Sequence, residues 1–179
     1  MTDAAHGQAL VSYARARVKQ ELGGPVAVPP DGAWTQAPGA TFVTLRWRDG
    51  DLQGCIGTLE ADRSIVADVA SNAVAAATRD PRGDIFALKD VDDLDVEVSV
   101  LSPLEPIAGR DAIRVGTDGI VLVYRGRRAT FLPVMWKQLP DLGTFMRELE
   151  RKLGLPKDAD RSELTFLRYT AELFEDHAA

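Results

Sequence analysis

The sequence predicts an α+β fold with mainly antiparallel sheets and packed helices, and three observations carry that reading. Apolar residues recur at helical spacing in three stretches. Elsewhere they alternate with polar ones, and turn residues join those segments into hairpins. No strand-helix-strand rhythm of a parallel sheet runs through the chain. At 179 residues the chain fits a single domain spanning 1–179, with any two lobes not divisible from the sequence.

From Asp3 to Leu22 the residues Leu10, Tyr13, Ala14, Val18 and Leu22 make a helical stripe, and Gly23-Gly24 stops it. Residues 25–39 hold four prolines and one large side chain, Trp34, and read as an irregular connector of the kind that often caps a cleft. Val43, Leu45 and Trp47 then alternate with Thr44, Arg46 and Arg48, as in a half-buried strand. Asp49-Gly50 is a hairpin signal, so the strand from Leu52 to Leu59 should return alongside. Strict alternation puts Gln53, Cys55 and Gly57 on one face and Leu52, Gly54 and Ile56 on the other.

Asp62 or Ser64 should cap a helix with a narrow stripe of Ile65, Val66, Val69, Ala73 and Ala77, closed by Asp80-Pro81. Asn72 falls in its middle, either bonded to the loop bearing Cys55 or exposed. Leu94, Val96, Val98 and Val100 alternate with Asp95, Glu97 and Ser99, a strand whose polar face is either solvent-facing or, if inward, a place for Glu97 to act as an acid. The chain from Ile113 to Leu132 reads as a three-stranded meander over 113–115, 120–124 and 129–132, with Arg125, Arg127 and Arg128 on a solvated turn. Leu142, Phe145, Met146, Leu149 and Leu153, between Asp141 as cap and Gly154 as stop, make a helix. Leu164 to Tyr169 should be a strand, and the acidic residues after it a fraying tail.

Composition narrows the chemistry. With 45% hydrophobic and 27% charged residues the chain is ordinary for a globular protein. Its apolar runs fall short of the roughly 18 residues a membrane helix needs, and its first residues lack a signal-peptide pattern, so a cytoplasmic location is expected. A net charge of −6 opposes binding to a phosphate backbone, and nucleic acid and membrane are not expected as partners. The one cysteine, Cys55, cannot form an internal disulfide and is left as a thiol or thiolate. Both histidines, His6 and His177, lie in the tails, so neither a Cys-His pair nor an imidazole metal site is furnished, and no cofactor is expected.

Leu52-Gln53-Gly54-Cys55-Ile56-Gly57-Thr58 is the stretch to which chemistry is assigned. Glycines inside a strand mark a bulge or the close approach of a ligand or another backbone. Gln53, Gly54, Cys55, Ile56 and Gly57 are accordingly the candidate binding residues, with Gly54 and Gly57 admitting a substrate backbone. Arg46, Arg79 and Arg82 are possible cationic neighbours of the sulfur.

Together with Phe42-Val43-Thr44-Leu45, Asp80-Pro81-Arg82, Glu97-Val98-Ser99-Val100-Leu101-Ser102-Pro103, Gly116-Thr117-Asp118-Gly119-Ile120 and Phe131-Leu132-Pro133, this stretch resembles the AMMECR-type domain family, component A of the AmmeMemoRadiSam system, over roughly residues 8 to 170. The resemblance implies two lobes with antiparallel sheets and a cleft between them that the cysteine motif faces. It also implies association with a Memo-like protein and a radical S-adenosylmethionine enzyme. It favours Arg82 as the cation beside Cys55, and Cys55, Arg82 and Glu97 are the candidate catalytic residues. The chain departs from the family pattern at Gln53, where arginine is usual, and at Gly83, where an aromatic is usual. Two readings of function follow: a binding or adaptor component whose cleft holds a peptide or partner protein, and a Cys55-dependent enzyme or redox component.

Overall fold

A computed structural model of the chain describes residues 2–176. The chain forms two compact units: one runs up to Leu101 and resumes at Glu172, and the other is residues 102–171.

The first unit opens with helix α1, Ala4–Glu21, whose N-cap Asp3 accepts the Ala5 N–H. Strands β1 (Thr41–Trp47) and β2 (Leu52–Gly57) form the predicted hairpin, with Gly50 at φ 93° in the turn. Helix α2, Ile65–Thr78, is capped by Ser64. Strand β3, Leu94–Leu101, pairs along β1, and the sheet is completed by the strand that ends the described chain, Ala171–Asp176, in the order β2, β1, β3, then that last strand. Leu10, Val11, Ala14 and Val18 of α1 and Val69 and Ala73 of α2 pack with Val43, Leu45, Val96 and Val98, so both helices lie on one face of the sheet.

A buried polar knot fastens α2 to β1. Asp68, 1% exposed, accepts from the Thr41 N–H at 2.8 Å, the Thr41 hydroxyl at 2.7 Å, the Thr58 hydroxyl at 2.7 Å and the Asn72 amide at 2.9 Å. Asn72 is therefore neither exposed nor bonded to the Cys55 loop. Its amide also donates to the Thr41 carbonyl, because buried amides must find acceptors.

In the second unit, strands β4 (Glu105–Ile107), β5 (Gly119–Tyr124), β6 (Arg127–Phe131) and β7 (Thr165–Tyr169) form an antiparallel sheet in the order β4, β7, β5, β6; the strand at Ala171–Asp176 is β8. Helix α3, Leu142–Leu153, has the predicted cap at Asp141 and stop at Gly154, φ 68°. Its Phe145, Met146 and Leu149 pack with Ile120, Leu122 and Trp136. Arg125 pairs with Glu163 and Arg127 donates to the Gly154 carbonyl, so the basic turn is engaged locally.

Two expectations are corrected. Residues 113–115 form no strand: Arg114 and Asp118 close a turn by backbone and side-chain bonds, and Asp118 is fully buried. The acidic tail is a strand, β8, held by Arg15 on Asp176 and by Phe174 lying against Gly7. His177 lies outside the described residues. Among the described residues no helix is long and apolar enough to cross a membrane.

Candidate functional site

The hairpin register places Cys55. Thr44 pairs with Cys55 on one side and with Glu97 on the other, so the three residues form a row across β2, β1 and β3. That row is on the sheet face opposite the helices, since the neighbouring Val43 and Val98 point into the core. The Thr44 hydroxyl donates to the Cys55 Sγ at 3.2 Å. Glu97 stands on the far side of Thr44, about 10 Å from the Cys55 backbone at ordinary strand spacing, and pairs with Arg46 at 3.6 Å. Its side chain is 22% exposed, half-buried rather than part of a solvent-facing row.

The backbone of Cys55 faces away from β1, and charged side chains meet it there. Its N–H donates to Asp80 Oδ2 at 2.8 Å, and its carbonyl accepts from Arg82 Nη2 at 3.4 Å. Asp80 and Arg82 are themselves locked together, with Arg82 Nε and Nη2 donating at 2.9 and 2.7 Å. These bonds from Arg82, aided by the N–H groups of Cys55 and Arg82, hold the Asp80 carboxyl far below the usual carboxylate range against the opposing effect of burial. Asp80 in turn raises the Arg82 guanidinium above its ordinary value, and Cys55 adds to that in the same direction. The Asp80 side chain is 1% exposed and that of Arg82 57%, so the acid is the anchor and the cation the outward group.

Strict alternation fails two residues before the cysteine. A β-bulge lets Leu45 pair with Gly54 and Arg46 with Leu52, skipping Gln53. Gln53 therefore leaves the Cys55 face and turns to Trp47, whose indole N–H donates to it at 3.0 Å, and to the Asp84 carbonyl, to which it donates at 2.8 Å. It is 1% exposed, and its amide is engaged within the protein.

The glycines open no path for a substrate backbone. A Cβ on Gly54 would lie 2.0 Å from the Ala76 carbonyl oxygen of α2, and one on Gly57 would enter the Phe42 ring at 2.2 Å. The close neighbour is the protein itself. Ile56 pairs with Val43 and packs against the helix-side core. Of the sequence-predicted binding residues, only Cys55 puts a reactive side chain on the face opposite the helices, where it is half-buried beside the buried Thr44.

Asp80 and Thr44 were not singled out by sequence reasoning. Asp80 reads as a helix closure and Thr44 as one polar residue in an alternating strand. Counting the hairpin register back from the turn would have paired Thr44 with the cysteine only if the bulge were known. Among the described residues no cluster of three or more His, Cys, Asp or Glu side chains is arranged to hold a metal ion.

The AMMECR1 family model matches residues 11–174. The chain belongs to the AMMECR1 family. An AMMECR1-family relative from Methanothermobacter thermautotrophicus is 34% identical over 182 residues, covering 95% of this chain and 94% of its own. One from Thermotoga maritima is 33% identical over 147 residues, 82% of each chain. The crystal structure of the uncharacterized protein PH0010 from Pyrococcus horikoshii matches with a TM-score of 0.86 at 30% identity, over 96% of this chain and 92% of that one. The row of Cys55, Thr44 and Glu97 in this chain thus stands on a fold that the Pyrococcus horikoshii protein shares.

Proposed function

We propose that this AMMECR1-family chain is a binding or adaptor component that acts in the cytoplasm with a Memo-like protein and a radical S-adenosylmethionine enzyme. The surface it offers is the Cys55 face of its first sheet. The supporting observation is the row itself: a sulfur, a hydroxyl and a carboxylate in register, with the Arg46 cation beside them, on the face opposite the helices. Mixed polar groups held in fixed register on a sheet supply the directional contacts that give an interface its specificity. The test is copurification of the tagged chain with the Memo-like protein and the radical enzyme of its own source, with Glu97→Gln and Arg46→Ala as weakened variants. Capture of neither protein by the unmodified chain overturns the reading.

One observation favours a second reading, a Cys55-dependent enzyme or redox component. The Arg82 guanidinium reaches the Cys55 carbonyl, and the Thr44 hydroxyl points at its sulfur. Cations and donors near sulfur favour the thiolate, the nucleophilic form. Alkylation rates of Cys55 followed against pH decide it: a profile like that of an ordinary thiol, with a midpoint near about 8.5, discards this reading.

A further inference from the structure

The segment Gly24-Pro25-Val26-Ala27-Val28-Pro29-Pro30 contains neither helix nor strand, yet its backbone is tightly constrained. Proline fixes its own φ near −65° and holds the residue before it in the extended region, which covers positions 24, 25, 28, 29 and 30. Burial along the segment recurs every third residue. Gly24, Ala27 and Pro30 are half-buried, while Pro25, Val26, Val28 and Pro29 are exposed. Three residues per turn is the period of a polyproline II helix, distinct from the 2.0 of a strand and the 3.6 of an α-helix.

The inward row is anchored. A Cβ on Gly24 would meet the Lys19 carbonyl oxygen at 2.8 Å and the Leu88 side chain at 2.9 Å, and the Ala27 N–H donates to Gln20 Oε1 at 3.0 Å. The outward rows are apolar, with Val26 78% and Val28 82% exposed. Single exposed apolar residues are ordinary. Here two valines and two prolines stand exposed on the two outward rows, to either side of the half-buried Ala27.

We propose that residues 24–30 are a ready-made polyproline II ligand for a partner protein whose groove is lined by aromatic side chains. Proline and valine present flat apolar surfaces that rest on aromatic rings. Three of the seven residues have no N–H and a fourth, Ala27, has its N–H engaged, so the segment offers chiefly carbonyl acceptors. A fitting groove therefore supplies donors, such as an indole N–H or a phenol hydroxyl. The segment carries no charge and is flanked by the exposed acids Glu21 and Asp31, which disfavours a phosphate-rich surface as the occupant. Because the backbone is already ordered, binding costs little conformational entropy.

The test uses the full chain, labelled with ¹⁵N, titrated separately with an isolated SH3, WW and EVH1 domain as probes. At least one of them is expected to shift the Val26, Ala27 and Val28 amides selectively, and a Val26→Asp/Val28→Asp variant should bind it about tenfold or more weakly. Both substituted side chains are exposed, so the variant should keep its unfolding midpoint, which is measured alongside. Failure of all three domains to move those amides overturns the proposal, as does equal binding by the double variant. A free chain whose couplings at residues 26–28 report an averaged coil rather than a fixed extended φ also overturns it.

Discussion

Gln53 and Gly83, thirty positions apart in the chain, are in contact. A Cβ on Gly83 would lie 1.9 Å from the Gln53 carbonyl oxygen and 2.5 Å from its side-chain amide nitrogen. The bulge that carries Gln53 out of register brings its backbone against the 80–84 segment, and the amide bonds both the N–H and the carbonyl of Asp84 there. The two residues fit as a pair: the Gln53 carbonyl and amide occupy space that a side chain at 83 would otherwise fill.

Gly83→Phe should destabilise the protein by about 2–4 kcal/mol, because the clash is with backbone and no neighbour can yield cheaply. Urea unfolding of the two proteins gives the difference. A loss under about 0.5 kcal/mol would mean that the segment moves freely and the contact is unimportant.

Gly54→Ala and Gly57→Ala should differ in cost. The first drives a methyl into the Ala76 carbonyl of α2, while the second meets the half-buried Phe42 side chain, which can swing about its Cα–Cβ bond. We expect a loss of about 3 kcal/mol or more at Gly54 and about 1 kcal/mol at Gly57. Equal midpoint shifts in thermal or urea unfolding would contradict this.

Asp68→Ala should cost about 3–5 kcal/mol, because it strips the acceptor from Thr41, Thr58 and Asn72 at once in a buried place. Asp68→Asn should recover part of that loss, since one oxygen can still accept. The comparison is read from unfolding midpoints, and identical values for the two variants would count against the knot as described.

Asp80 ties stability to pH with a definite sign. Its folded-state carboxyl lies below the ordinary value, so its contribution is complete above the unfolded carboxylate range near about 4 and is lost as pH falls below it. The gap in stability between the natural chain and Asp80→Asn should therefore be widest near neutrality and narrow on acidification. Exposed acids such as Glu105 and Glu163 are also depressed by arginine partners, but both proteins share them and their effect cancels in the difference. A gap unchanged down to about pH 2 would refute the assignment.

Local signals made much of this architecture legible. Asp49-Gly50 announced the first hairpin, the stripe from Leu142 to Leu153 announced α3, and the alternation at Leu94–Leu101 announced β3. What stayed hidden depends on distant partners. The bulge at Gln53 answers to Trp47 and Asp84, the latter 31 residues on. Asp80 finds its reason in an N–H 25 residues earlier. β8 carries Glu172, Glu175 and Asp176, charges that suit an edge strand as well as a tail, and its place beside β3, with Arg15 and Gly7 of α1 against it, distinguishes the two. At the site, the cysteine was visible as a rarity, whereas its row with Thr44 and Glu97 required the register of three strands.

Because β8 seals the flank of β3, the first sheet cannot be finished until synthesis has passed Asp176. While the ribosome is still making residues 102–171, the earlier half must wait with a bare flank, which invites pairing with other nascent chains. A stop codon before Ala171 would leave that condition permanent, so loss of β8 should send the protein to aggregates rather than merely trim it.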